Sequence, residues 1–297
     1  MNRHNLPEKT LGLLCGILSA VFVAGYVTTN KYIYTHYDIS ALEYSLIFAI
    51  FGAFFALISL QFQRNAENTT LIKQNFKPLL AVGVAGTMAV AIFVVGQRYT
   101  SAVNASLLMT ATIVATGFFS HLLLKERHHK TQYVWIVALF VGLYIGVVGF
   151  RSLALHKGDA IILGSALFFG FGNAYSRVVM KQMGGARLVP DVRLAIGGVI
   201  ALAASPFIIN DLALVRSLLP FAVLAGLFYW LCMKTFARAV YLINANNTIV
   251  LNNMQIFFSA LAGVLILSEP YSFEKLIGSV IALTSIYFIA YKEHQNN

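Results

Sequence analysis

Polar punctuation divides the chain into ten apolar runs, at residues 11–29, 39–60, 79–96, 101–124, 133–150, 160–180, 189–209, 218–237, 241–267 and 273–291. Each run is long enough to carry an α-helix across hydrocarbon, which takes roughly 20 residues. Little chain is left over, because the longest gap, residues 61–78, is too short for a folded aqueous domain. The first run stands so close to the second that it reads as a span rather than a cleaved leader. The pattern predicts an all-α integral membrane protein with ten transmembrane helices.

Composition narrows the class. Charged residues make up 11% of the chain and hydrophobic ones 59%, against about 25% charged in soluble domains, and this excludes a water-soluble enzyme. The formal charge is +10, but Lys and Arg occur singly or in small groups between the runs. That arrangement marks topology and contact with anionic lipid rather than a nucleic-acid footprint. With both termini in the cytoplasm, Lys31, Arg98, Arg151, Lys157, Arg216 and Lys275 fall outside, leaving 15 of the 21 Lys and Arg inside. The expected location is a plasma membrane of the bacterial inner-membrane kind, with both termini cytoplasmic. Cys15 and Cys232 lie inside apolar runs and read as packing residues.

The runs also repeat. An offset of about 140 residues aligns Arg98 with Arg238 and Asn104 with Asn244, and an offset of 143 aligns Leu124-Lys125-Glu126 with Leu267-Ser268-Glu269. Two five-helix halves follow, residues 1–157 and 158–297. An odd number of spans per half inserts the two halves with opposite orientation. The loop charges agree: Lys125, Arg127 and Lys130 surround Glu126, whereas Lys275 is the sole base from Ser268 to Lys275. Inverted repeats are an architecture of secondary transporters, with substrate bound at the repeat interface near mid-bilayer.

Each half closes with a small-polar start (Ser101-Ala102-Val103-Asn104-Ala105-Ser106; Ile243-Asn244-Ala245-Asn246-Asn247), a long apolar run and a Glu, at Glu126 and Glu269. In these features the whole chain resembles the EamA-type transporters of the drug/metabolite transporter superfamily. It departs from that pattern at Ile113 and Ile256, where the family often has Pro, and at Trp135, where Gly is expected and Gly278 keeps it in the second half. The resemblance implies ten helices around a central cavity and movement of small metabolites, often amino acids, usually outward.

Candidate site residues are the polar side chains at depth. In the ninth run Asn244, Thr248, Asn252, Gln255 and Ser259 recur at helical spacing as one stripe. An unpartnered amide in hydrocarbon costs several kcal/mol, so the stripe lines a cavity or glues helices together. Asn104, followed by Thr112 and Thr116, is the fainter counterpart in the fourth run. Tyr26 and Asn173 sit deep in the Gly-rich first and sixth runs, and Trp230 lies inside the eighth, placed to stack on a planar substrate. Arg177, Lys234 and Arg238 either snorkel to the headgroups or face the cavity, where they would favour anionic or zwitterionic substrates.

Acids are scarce at depth. Glu43, Glu126, Asp191 and Glu269 stand at run ends and the others in loops or tails. Without a mid-span carboxylate, cation-for-proton exchange is disfavoured and transport is expected to depend weakly on a proton gradient; the coupling itself stays open. His121 is the sole histidine within a run, and no His-Glu-x-x-His, Gly-x-Ser-x-Gly or Walker pattern occurs. No catalytic residue, metal or cofactor is expected. The expectation is a secondary transporter of small polar or amphipathic metabolites, with amino-acid efflux foremost and membrane lipid as its surroundings. The alternatives are broader drug or nucleotide-type transport and, in another class, a membrane scaffold or enzyme.

Overall fold

A computed structural model of the protein describes residues 6–124, 130–149, 156–185, 187–243 and 245–295, and no strand occurs among them. The helical segments are α1 (Leu6–His36), α2 (Ala41–Phe62), α3 (Ala66–Gln74), α4 (Phe76–Gln97), α5 (Ala102–Met109), α6 (Thr112–Leu124), α7 (Lys130–Val148), α8 (Lys157–Gln182), α9 (Val189–Ile208), α10 (Leu212–Ile243), α11 (Ala245–Asn252), α12 (Gln255–Leu267) and α13 (Phe273–Gln295). Local chemistry sets several starts. At α2, Ser40 Oγ accepts from Glu43 N at 3.1 Å while the Glu43 carboxylate accepts from Ser40 N at 3.3 Å, a reciprocal cap. Pro190 occupies the first turn of α9, where a missing N–H leaves no bond unmade.

Seven helical stretches among the described residues are long and apolar enough to cross a membrane: Glu8–His36, Ala41–Phe62, Phe76–Gln97, Ala102–Leu123, Val189–Ile208, Leu212–Ile243 and Thr248–Leu267. The seventh helix offers the shorter apolar stretch Tyr133–Val148. The eighth and thirteenth are outside the seven, and α8 carries Lys157, Asp159, Arg177 and Lys181. Large apolar side chains such as Phe54, Phe118, Val199 and Leu265 are exposed on the perimeter, as a hydrocarbon surrounding requires. The chain is a multi-pass membrane protein.

Three local features depart from the run pattern. The gap at 61–78 holds α3, capped by the side-chain Oδ1 of Asn65 accepting from Asn68 N at 2.7 Å. Helix α10, which contains the eighth run, continues through Ile243, so the expected start of the ninth run at residue 241 belongs to it. The fourth and ninth runs are each broken, at Thr110-Ala111 and at Asn253-Met254. Proline is absent from both breaks. Instead Thr110 Oγ1 bonds to the Leu107 carbonyl at 2.7 Å and Asn253 Nδ2 to the Ile249 carbonyl at 2.8 Å. Side chains that take a carbonyl in this way compete with the helical ladder, and the backbone tightens to i→i−3 bonds there, as in Ala111 N to Leu108 O and Met254 N to Leu251 O.

The helices pack as α1 on α10, α4 on α8, α2 on α9 and α7 on α13, with α2 also on α10, α4 on α9, α5 on α7 and α11 on α13. At the α7–α13 crossing a Cβ on Gly278 would meet the Gly142 carbonyl at 2.5 Å. Only glycine permits that approach. The largest buried cluster gathers Tyr26, Tyr44, Phe48, Phe93, Phe169 and Tyr229 from five helices.

Candidate functional site

Both helix breaks open onto one internal cavity of about 140 Å³, whose wall includes Met109 and Thr112 from one break and Asn252, Asn253 and Gln255 from the other. Interrupted helices leave polar backbone ends that hydrocarbon does not tolerate and a cavity does. The space suffices for several waters or a small solute. At one end it meets Tyr26, 5% exposed, whose ring packs against Phe48, Phe93 and Tyr229 at 5.8, 6.2 and 5.5 Å between centroids. Among the aromatics of that cluster, Tyr44 donates to Asn30 Oδ1 at 2.6 Å, and Asn30 Nδ2 donates to Gln97 Oε1 at 2.8 Å. Toward the other end the wall is Val189, Pro190, Ala237 and Val240.

The strongest charge on the wall is Arg193, one turn into α9 and 6% exposed. Its Nη1 donates to Asn173 Oδ1 at 3.3 Å, while Nε and Nη2 have no partner among the described residues. A buried guanidinium with two donors unspent is costly, and an anion placed against it removes the cost. The chain makes room for it by omission of side chains. A Cβ on Gly86 would collide with Arg193 Nε, and one on Gly172 would lie 3.4 Å from Nη2. Thr112 Oγ1 is also buried without a partner among the described residues. Arg177 reaches the same wall and donates to Ser120 Oγ at 3.3 Å. No Asp, Glu or His lines the cavity among the described residues, so its electrostatics favour a carboxylate or another anion over a cation.

Asp191, two residues before Arg193, does not neutralise it. Its carboxylate is fully buried and accepts from Lys234 Nζ at 2.7 Å, Ser59 Oγ at 2.8 Å, Gln63 Nε2 at 2.8 Å and Trp230 Nε1 at 3.1 Å. This cluster ties α9 to α2 and α10 through four bonds to one carboxylate.

The EamA-like transporter family matches this chain over residues 10–148 and again over 156–291. The chain belongs to that family. Its relatives include an uncharacterized transporter of Methanothermobacter thermautotrophicus, 24% identical over 76% of this chain and 68% of that protein. One of Archaeoglobus fulgidus is 24% identical over 84% of this chain and 87% of that protein. A crystal structure with 12% sequence identity superposes with a TM-score of 0.57 over 96% of this chain and 98% of the other, a likeness of fold alone.

In this EamA-like transporter the residues singled out in the sequence divide between the cavity and its surroundings. Tyr26, Asn173, Asn252 and Gln255 share the cavity wall. Asn252 Nδ2 also donates to Ser19 Oγ at 2.9 Å, joining α11 to α1. The ninth-run stripe does not stay on the cavity: Asn252 and Gln255, on either side of the break, line it, whereas Thr248 of α11 is fully buried off it and Ser259 of α12 accepts from Ser106 Oγ at 2.7 Å. Asn104 is buried in α5 away from the cavity wall, with its amide oxygen unpartnered among the described residues. Trp230 stands outside, spending its indole N–H on Asp191 and stacking on Phe55 at 6.1 Å. Asn244 and Glu126 lie outside the described residues. Glu269 does describe a role for its motif: its carboxylate accepts from the backbone N–H groups of Ala102 and Val103 at 2.9 and 3.4 Å, capping the N-terminus of α5 with the charge that a helix start favours.

Two groups escaped the sequence reading. Arg193 counted as an inner-surface topology charge, and Asp191 as an acid at a helix end. The available signal was Lys234, in the middle of an apolar stretch of α10, where a cation needs an acid.

Proposed function

We propose that this family member is a secondary transporter with ten spans in two inverted halves, residues 1–157 and 158–297, which moves small amphipathic carboxylates, foremost amino acids, out of a bacterial cell. The packing supports the two halves. Contact of α1 with α10 has its counterpart in α8 with α4, that of α2 with α10 in α9 with α4, and that of α5 with α7 in α11 with α13, while α2 with α9 and α7 with α13 are each their own counterpart. With the termini cytoplasmic, the Pro190–Val240 end of the cavity faces inward and the Tyr26 aromatic cluster closes the outward side.

The observation that carries the substrate reading is Arg193, buried on the same cavity wall as Thr112, with two donors unspent among the described residues. A carboxylate there accepts from the guanidinium and the hydroxyl. The amide oxygens of Asn252 and Gln255 accept from an ammonium, and Met109, Phe169 and Phe236 receive an apolar side chain. The test is thermal stability of the purified protein against amino acids and against the amines left when their carboxylates are removed. A ligand at a hundred times its Kd stabilises the folded state by about 2.7 kcal/mol. Amino acids, but not the matching amines, are expected to raise the melting temperature. Equal shifts by the amines, or responses to nucleotides or cationic drugs alone, would overturn the reading.

A further inference from the structure

A second cavity, of about 850 Å³, opens between α2 and α10 beneath the turn that links α8 to α9. Gly184 and Gly185 line it on that side, and Gly184 adopts φ +69°, a left-handed conformation that glycine takes at no steric cost. Arg187 from this turn and Arg238 and Lys234 from α10 line the cavity. Asp191 is already occupied by its four donors, Lys234 among them. Among the described residues no acid pairs with Arg187 or Arg238.

The other half of the lining is apolar: Phe55, Ile58 and Phe62 of α2 with Trp230 and Tyr241 of α10. Phe62 is 88% and Tyr241 68% exposed, so this surface continues from the cavity onto the perimeter of the bundle, where hydrocarbon surrounds the protein. A free anion would leave those rings unused. A molecule with a phosphate at one end and acyl chains at the other meets both halves: the arginine forks match phosphate oxygens, and basic pockets between membrane helices on the cytoplasmic side hold anionic headgroups. We infer that this cavity is a binding site for an anionic glycerophospholipid, its phosphate between Arg187 and Arg238 and an acyl chain along Ile58 and Phe62. The inference does not rest on the amino-acid reading, because the two cavities share only the wall at Pro190 and Ala237.

The experiment is native mass spectrometry of the full chain in detergent, titrated with phosphatidylglycerol, with phosphatidylcholine and with inorganic phosphate as competitor. Phosphatidylglycerol is expected to bind about 10- to 30-fold more tightly than phosphatidylcholine, from roughly one factor of five per arginine. The Arg187→Gln/Arg238→Gln protein is expected to lose that preference, each single variant to lose part of it, and Lys73→Gln/Lys77→Gln, which removes equal charge elsewhere, to keep it. The single variants carry the comparison if the double variant does not elute as folded protein. Equal binding of the two lipids, or full retention of the preference without the arginines, overturns the inference. Displacement of phosphatidylglycerol by inorganic phosphate at similar concentration also overturns it, in favour of a site for free anions.

Discussion

Replacing Arg193 by Met should move ligand affinity and protein stability in opposite directions. Methionine keeps most of the length and apolar stem of the arginine while removing its charge and all its donors. With substrate bound, the guanidinium contributes Nε and Nη2, the two groups that have no partner among the described residues otherwise. Hydrogen bonds to charged groups are worth about 1.5 to 3 kcal/mol each. Counting the pair conservatively as one such interaction gives a loss of about 12- to 140-fold in affinity. Without substrate the sign reverses. Burial of a charge that spends one 3.3 Å bond on Asn173 Oδ1 is a standing cost, and an apolar side chain of similar volume in such a place is often neutral or stabilising. The Arg193→Met protein is expected to melt no lower than the parent and, on the proposed substrate reading, to respond to an amino-acid ligand only at concentrations raised by that factor. Thermal stability in detergent and initial flux in proteoliposomes, measured on one preparation, check both halves. A variant that melts well below the parent with unchanged affinity would refute the argument and make Arg193 a structural pin between α8 and α9.

Asp191→Asn leaves Lys234 without its ion partner and should cost about 3 to 5 kcal/mol, seen as lost monodisperse protein on size exclusion, while Asp191→Leu/Lys234→Met should recover most of the yield. Asn252→Leu should weaken substrate binding about five- to 150-fold by removing one cavity hydrogen bond; since it also releases Ser19, membrane abundance is measured beside affinity, and normal affinity in reduced protein would reassign Asn252 to packing. Impermeant thiol labelling of intact cells should reach a cysteine at position 272 and not one at position 2, following the partition of Lys and Arg. Flux in liposomes at a fixed substrate gradient should change little when a pH difference is imposed, because no Asp, Glu or His lines the cavity among the described residues; stoichiometric proton movement would defeat this.

The membrane makes the helices legible. A bilayer demands about 20 apolar residues per crossing, and the runs report that demand directly, so most helix bounds lie within a few residues of the runs. What the runs do not report is where a helix stops inside the membrane. Thr110 and Asn253 break their helices by taking a carbonyl with a side chain, and neither Thr nor Asn signals this as Pro does. The stripe from Asn244 to Ser259 assumed that one helix face meets one environment, whereas Asn252 and Gln255, beside the break, reach the cavity and Thr248 and Ser259, one turn away on either side, are buried off it. Arg193 illustrates the opposite difficulty: an arginine one turn into a span has the same sequence context whether it points to headgroups or inward, and tertiary packing of α9 against α2 and α4 decides between them. Tyr26, Asn173, Asn252 and Gln255 were visible because a polar group at depth has few places to go.

The cap that Glu269 places on α5 has a mechanical consequence. A residue following α12 in the second half of the chain holds the first turn of a helix in the first half, through two charge-assisted bonds, and Ser106 and Ser259 rivet the same two helices a turn further in. Tilting α12 about the break at Asn253 must carry α5 with it or tear those bonds. The nearest place for the chain to yield is then Thr110, the other break. The two interruptions therefore behave as paired joints of one linkage, so that stiffening either, for instance by filling the Thr110 turn with a residue that restores the helical ladder, would hold both sides of the cavity still.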